Sequence, residues 1–393
     1  MLAAMQIKIH PNIISTMEDT LDEIAGRIAS AEKARSELAK RLRFNSGKME
    51  YAETLEKELH YPVQLSQIDG SIAAVDAGIV GEELHGFDFL VQRTVGVVFE
   101  YSGSRVKGHK YFPSALPQLQ YDVRSGLDSH DVMWHKSLFR LKGELTCARK
   151  IIEQHFPSSL LIDGSIAPLL SDKPSEDSEM RPLYDEVVAA YRSLYETAWK
   201  SGCTLLGVIK DSRSKRFIEI IGRHTQDPGE LRSPVSSRSA EHADGAKTPG
   251  ASGAGEPGLQ HTTDTAFLHF LLEAGERTCA FTYSSKPTSH QVLKDLGQWS
   301  EKILSFYIKP VKEDRPLRVE FLSGQKTFSE VASLAHSLSC VHKAYAYPAI
   351  LIEADLRAAL APEDFERAYG TLFSKLGRSS SLFRLRRNSR PFR

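Results

Sequence analysis

The stretch from Leu160 to Leu170 reads LLIDGSIAPLL, and its Leu160-Leu161-Ile162 run stops at the sharp turn Asp163-Gly164-Ser165 before Ile166 resumes the apolar pattern. A short continuous aliphatic run bounded by such a turn is the signature of a buried strand, here one that ends at a carboxylate. An acid beside an apolar strand costs several kcal/mol unless it is paired, protonated or bound to a metal, so the placement calls for a partner. Ile72 to Gly78, IAAVDAG, repeats the pattern of small apolar strand, Asp76 and a glycine turn. Two strand-end aspartates suggest one shared site.

The bulk properties exclude several classes. The 393 residues can bury one large or two modest cores, and 41% hydrophobic with 25% charged residues is ordinary for a globular protein. Lys plus Arg and Asp plus Glu are each 50, so any attraction to nucleic acid must be local. Cys147, Cys203, Cys279 and Cys340 are far apart and form no C-x-x-C, which argues against a zinc knuckle or a disulfide scaffold and fits a reducing cytoplasm. The start, MLAAMQIKIHPNIIST, lacks a basic segment followed by a long apolar run, and no stretch reaches roughly 18 apolar residues. These features indicate a cytoplasmic protein without membrane segments.

In chain order, Ile14, Met17, Leu21, Ile24, Ile28, Ala31, Leu38 and Leu42 recur three and four apart, interrupted at Arg35. The pattern predicts a long amphipathic helix with a coiled-coil-like stripe, either packed on its own domain or serving as a dimer or docking contact. A second helix is expected over about Lys48–His60, ending before Pro62. Residues 1–64 thus read as an N-terminal helical region. Strands follow at Ile72–Ala77, Thr94–Tyr101 and Arg105–Phe112, the last two joined by the hairpin turn Ser102-Gly103-Ser104. Ile68-Asp69-Gly70-Ser71 resembles the Asp163 segment, but only Ser66 and Gln67 precede it, so it reads as a plain turn.

A helix over about Asp131–His155 carries Trp134, Leu138, Leu141, Leu145, Ala148 and Ile152 as its buried stripe, and Glu144 flanks that stripe, about 60° round from Leu141. Beyond Asp163 come a helix over about Pro182–Lys200, a buried strand Cys203–Ile209, a helix opening at Asp264, and strands at Cys279–Tyr283, Ser305–Pro310 and Leu317–Leu322. Two last helices flank Tyr345–Pro348. Gln226–Thr262 is rich in Pro, Gly, Ser and Ala and has too few large apolar residues to order itself, which predicts a disordered insertion in a domain spanning 65–377. The tail 378–393 carries Arg378, Arg384, Arg386, Arg387, Arg390 and Arg393 and no acid. Alternating strands and helices indicate an α/β chain.

Three carboxylates, Asp76, Glu144 and Asp163, occur in the order strand, helix, strand. Converging on one sheet edge they could hold two divalent cations for phosphodiester cleavage, and their hard oxygens favour Mg²⁺ or Mn²⁺ over zinc. Lys210 follows a buried strand, where its ammonium could meet a scissile phosphate, and Arg213, Lys215 and Arg216 could track a phosphate backbone. No histidine pair is spaced H-x-x-x-H and no G-x-x-x-x-G-K-[ST] occurs, so neither a zinc hydrolase nor a P-loop ATPase is supported.

Taken in order, IAAVDAG, LKGELTCARKIIE, LLIDGS, GVIKDSRSKRF, the SFYIKP and LRVEF strands and AYPAILIEAD resemble the NurA nuclease family, over roughly Leu65 to Leu360. The resemblance implies an RNase H-like mixed sheet flanked by helices. It also implies a Mn²⁺-dependent single-strand endonuclease and 5′ to 3′ exonuclease, a homodimer, and a hexameric HerA-type translocase as partner in DNA end resection. By motif match Asp76, Glu144 and Asp163 would be metal ligands. Two departures stand out. The first motif reads Val75-Asp76-Ala77-Gly78 where the family usually has Val-Asp-Gly-Ser, and the family's tyrosine followed eight positions later by histidine appears as Tyr347 and Asp355. An aspartate still offers oxygen to Mn²⁺ or Mg²⁺ but not an imidazole that titrates near pH 7.

Two other classes compete with a nuclease. A non-catalytic adaptor or clamp of the same fold is suggested by Asp355. An actin-like sugar kinase or ATPase would use Asp76-Ala77-Gly78 as a nucleotide turn, but the chain lacks the later glycine-rich adenosine segment and Glu144 would have no role.

Overall fold

The computed structural model describes residues 11–44, 53–224, 262–377 and 383–386. The insertion expected over 226–262 lies outside them except for Thr262, as does the tail 378–393 except for Phe383–Arg386. In chain order the elements are α1 (Pro11–Phe44), β1 (His60–Pro62), β2 (Gly70–Leu84), β3 (Phe87–Ser102), β4 (Arg105–Phe112), β5 (Gln120–Arg124), α2 (Ser129–His155), β6 (Ser159–Asp163), α3 (Arg181–Ser201) and β7 (Thr204–Ile209). They continue with α4 (Arg216–His224), α5 (Asp264–Leu271), β8 (Glu276–Thr278), β9 (Phe281–Thr282), β10 (Ile303–Lys309), β11 (Leu317–Leu322), α6 (Phe328–Ser339), α7 (Ala349–Ala358) and α8 (Pro362–Leu376).

Contacts divide the chain into two compact units. The smaller combines residues 1–47 with 213–271. In it Leu38 and Ala39 of α1 are buried, and Arg43 Nη1 donates to the Leu271 carbonyl at the end of α5 (2.6 Å). Asp264 sits at the start of its own helix, as the sequence suggests, but its carboxylate caps α4, accepting from the Phe217 and Ile218 amides (3.0 and 2.9 Å). The α1 stripe divides: Leu38 is buried in this unit, whereas Leu21, Ile24 and Ile28 are exposed. Arg216 is buried, which removes it from the phosphate-tracking run.

The larger unit, residues 48–212 with 272–393, holds an 11-stranded sheet in the order β1-β8-β10-β11-β7-β6-β2-β3-β4, with β5 paired to β3 and β9 to β10. Its centre is built from two kinds of connection. β2, β3 and β4 form an antiparallel meander, whose second turn places Gly103 and Ser104 at φ 58° and 63°, the left-handed pair that suits the twist of a two-residue hairpin. β6 and β7 then run parallel to β2, and each parallel step requires a long crossover, supplied by α2 and α3. Asp128 caps α2 through the His130 and Asp131 amides (2.7 and 2.9 Å), and Gly202 closes α3 in a left-handed conformation at φ 70°.

Alternation along β2 assigns the two layers. Ala73 and Val75 join the core under α2 and α3, whereas Ile72 and Ala74 join the core under α6 and α7. Leu138, Leu145, Ala148 and Ile152 of the expected α2 stripe are buried, with Trp134 at its partly covered rim.

Two expectations fail locally. Over the described part of the helix expected at about Lys48–His60 no helix forms: residues 53–59 are turn and bend with a bridge from Thr54 to Phe281, Leu55 donates to the Ala280 carbonyl (2.9 Å), and β1 pairs with β8, so sheet pairing overrides helix propensity. The glycine turn after Asp76 is also absent. β2 continues to Leu84 with Ala77 and Gly78 paired to Thr94 and Arg93, because a fifteen-residue ladder to β3 outweighs the local turn preference of Ala-Gly.

Candidate active site

The Asp163 turn is held from below. Gly164 has φ +118°, a conformation open to glycine, and its amide donates to the Val208 carbonyl of β7 (3.0 Å). A Cβ at Gly207 would sit 2.4 Å from the Gly164 carbonyl oxygen, so the turn crosses β7 only because that position is bare. Glu320 of β11 accepts from Ser165 Oγ (2.6 Å) and the Ile166 amide (3.2 Å), and its other oxygen accepts from Arg318 Nε (2.8 Å). Both members of that pair are almost wholly buried. Tyr195 Oη donates to the Ile166 carbonyl from the α3 side.

Above the turn, the Asp163 carboxylate meets the two other residues singled out near it. Tyr347 Oη donates to Oδ1 (2.8 Å) and lies 3.1 Å from the Val208 carbonyl; Lys210 Nζ donates to Oδ2 (3.1 Å) and stands 5.0 Å over the Tyr347 ring. Burial pushes the Tyr347 phenol far above its ordinary range, and the Asp163 charge adds to that, so the hydroxyl stays a donor. Burial alone would lower the Lys210 ammonium, but the Asp163 carboxylate outweighs it and the pKa is raised.

Asp76 and Glu144 occupy poorer environments. Asp76, 8% exposed, accepts from its neighbour's amide at Ala77 (2.8 Å), and burial followed by the charge of Asp163 raises its pKa to about 6. Glu144, 2% exposed, pairs with Arg140 one helical turn earlier. Burial nonetheless raises it to about 8, with Arg140 opposing and Asp76 and Asp163 reinforcing the rise.

Both acids thus hold a proton more tightly folded than unfolded. Their contribution to stability is full below the ordinary values of 3.8 and 4.5 and is lost as pH rises through about 6 for Asp76 and about 8 for Glu144. Metal-free protein should therefore melt lower at roughly pH 8.5 than at roughly pH 5, and Asp76→Asn should show a smaller fall. Melting curves in EDTA across that range decide it; equal pH dependence in the two proteins would mean that Asp76 titrates as an ordinary carboxylate.

Asp355 is exposed on α7, and its charge is felt at both Asp76 and Lys210. Two features bring α7 there. A Cβ at Gly78 would lie 2.3 Å from the Ala358 carbonyl, so β2 admits the helix end only at a glycine. Buried Arg93 of β3 then donates to the Ala359 carbonyl (2.7 Å) and to Asp364 (3.0 Å), fixing the α7–α8 junction. Arg357 pairs with Glu353 (2.8 Å) rather than with Asp355.

The six residues singled out in the sequence therefore gather at one edge of the sheet. A cavity of about 650 Å³ lined by residues including Phe112, Phe139, Lys142 and Lys150 contains none of them. Among the described residues no three His, Cys, Asp or Glu side chains are arranged ready to hold a metal ion. The donor set suits a hard cation, with oxygens only and with Asp76 and Glu144 raised by burial and by the neighbouring carboxylates. At present Asp163 is engaged by Tyr347 and Lys210, and Glu144 by Arg140. Ligation would require those cations to yield their places. Sequence reasoning missed Arg140, Arg93, Arg318 and Glu320. Arg140 alone had a local signal, its position four residues before Glu144 on one helix.

A three-stranded antiparallel meander continued by two parallel strands, with helices on both faces and acids at the shared edge, defines an RNase H-like α/β protein. The chain belongs to the NurA domain family, whose model matches residues 70–360. Among solved structures it is similar to the NurA nuclease from Sulfolobus solfataricus, at 12% identity over 94% of this chain and 98% of that one, with a TM-score of 0.57. A NurA bound to dAMP and manganese is similar at 8% identity over 96% and 99% of the chains, with a TM-score of 0.51. At such identities the likeness concerns the fold. No curated protein matches the chain.

Proposed function

We propose that the protein is a metal-dependent DNA nuclease that hydrolyses phosphodiester bonds at the edge formed by β2, β6 and β7. The observation that carries this reading is that Asp76 lies in the fields of Asp163 and Asp355, and Glu144 in those of Asp76 and Asp163, beside an ammonium already bonded to Asp163. Membership of the NurA family and the manganese and dAMP in a similar structure support it. Mn²⁺ or Mg²⁺ held by the four acids, two ions in the fullest case, would activate water and stabilise the leaving oxygen. Among the chain's own groups, Tyr347 orients Asp163 by its hydroxyl, and the half-exposed Lys210 ammonium swings from Asp163 to the scissile phosphate.

In this reading the substrate is DNA, cut as a single-strand endonuclease and 5′ to 3′ exonuclease during end resection. The working form is a cytoplasmic homodimer that feeds from a HerA-type hexameric ATPase. The pairs of Lys210 with Asp163 and of Arg140 with Glu144 favour one rival: a non-catalytic adaptor of the same fold. End-labelled single-stranded and duplex DNA with Mn²⁺, Mg²⁺ or EDTA separates the two. A nuclease cuts with either metal and stops in EDTA; an adaptor cuts with none, with or without a motor.

Asp355 has its own expected result. Asp355→Ala should cut at least about tenfold more slowly at saturating Mn²⁺, and Asp355→His should recover part of the rate, since imidazole also binds Mn²⁺. Wild-type activity in Asp355→Ala would leave a three-carboxylate site of Asp76, Glu144 and Asp163.

A further inference from the structure

The loop between α6 and α7 presents an unusual side chain beside these acids. Residues 341–345 are all exposed, whereas Ala346, Tyr347 and Pro348 immediately after them are buried. Tyr345 is 48% exposed, and its ring centroid lies 6.2 Å from that of Tyr347, whose hydroxyl holds Asp163. The Tyr345 side chain also lies in the field of Lys210. The loop is not slack. Asp314 accepts from the Ala346 amide (2.7 Å), the Tyr347 amide donates to the Tyr345 carbonyl (3.1 Å), and His342 Nδ1 accepts from the Ala344 amide (3.2 Å).

We propose that Tyr345 is a stacking platform for an unpaired nucleobase next to the phosphate that Lys210 meets, which makes it a specificity determinant for single-stranded substrate. The proposal rests on the nuclease reading for what happens to the strand after it binds. An exposed aromatic ring flanked by cations is the composition that tracks single strands, since every base offers a π-face and every nucleotide a phosphate. Lys343, exposed two residues earlier, supplies a second cation on the same loop. The anchored backbone means that little conformational freedom is lost when a base lands on the ring. A base already stacked in a duplex is not available to it, so the platform selects frayed or unpaired ends. Because it reads the π-face and not the hydrogen-bonding edge, it favours purines over pyrimidines only through their larger rings.

The test uses the full chain in EDTA, where cleavage does not interfere, and a single-stranded oligonucleotide carrying 2-aminopurine. Wild type should quench the fluorophore on binding. Tyr345→Ala should weaken binding about 5- to 100-fold, and Tyr345→Phe, which keeps the ring, should stay within about twofold of wild type. An abasic nucleotide at the stacked position should weaken wild type by a similar factor and add little to Tyr345→Ala. Equal affinity of Tyr345→Ala and wild type overturns the proposal. So do abasic and Tyr345→Ala losses that multiply independently, since that pattern means the substitution acts through Tyr347 and not through the base. A protein that quenches the probe through Tyr345 yet cuts no DNA with Mn²⁺ keeps the platform and fails the nuclease reading. One that cuts DNA with an affinity indifferent to Tyr345 does the reverse.

Discussion

Asp163→Asn should lower the rate of DNA cleavage by on the order of 10³-fold or more while leaving the protein folded, the scale for losing a group that stabilises charge in the transition state. The substitution keeps the shape of the side chain. Its amide oxygen still accepts from Tyr347, but its NH₂ turns a donor towards Lys210, which itself only donates, so that bond is lost. Lys210 is released at a half-exposed position, where losing an ion pair costs about 1 kcal/mol or less. Asp76→Asn should lose activity similarly, yet gain stability in metal-free buffer above about pH 6, where the wild-type carboxylate is charged beside Asp163. Rates with Mn²⁺ and melting temperatures in EDTA for both variants are the required pair of measurements. Cleavage by either purified variant at the wild-type rate would remove that residue from the reaction.

Glu320→Ala should produce the largest loss of stability at the site, about 3 to 5 kcal/mol, because it leaves the Arg318 guanidinium buried without a countercharge. Near the melting temperature that is a fall of roughly 5 to 8 °C for a unit of this size. The same change removes the acceptor for Ser165 Oγ and the Ile166 amide, so the turn that presents Asp163 loosens and cleavage falls with stability. Replacing both partners with apolar residues, Arg318→Met with Glu320→Leu, should cost much less in stability and leave activity low. That contrast separates the burial of an unpaired charge from the positioning of the turn. If the double variant melts as low as Glu320→Ala, the loss comes from packing and not from the stranded charge.

Some of this was legible residue by residue. The Leu160–Ile162 run and its Asp-Gly turn define β6 and its end because a buried strand needs consecutive apolar side chains and glycine alone tolerates φ +118°. The α2 stripe appears where the 3.6-residue period places it, and Glu144 flanks it as the same geometry requires. Asp76 was found for a reason that the structure corrects. The local Asp-Ala-Gly pattern predicts a strand ending at a glycine turn, but the ladder to β3 carries β2 through, and Gly78 is bare to admit the end of α7.

The sequence alone determined β6 and its turn, α2 with its buried stripe, and that the acids available to the site are hard oxygens, since each of these follows from composition and period within a few residues. Only the tertiary structure decided what stands beside Asp163: Tyr347, 184 positions away, Lys210 just past the end of β7, and Glu320 beneath the turn. Periodicity fixes the direction a side chain points but not which distant element it meets. That choice depends on strand order, on close approach at Gly78 and Gly207, and on a buried arginine at each of two junctions, Arg93 at the end of α7 and Arg318 under the turn. Such contacts are energetically decisive because they are buried and unscreened, and they leave no local pattern in the chain.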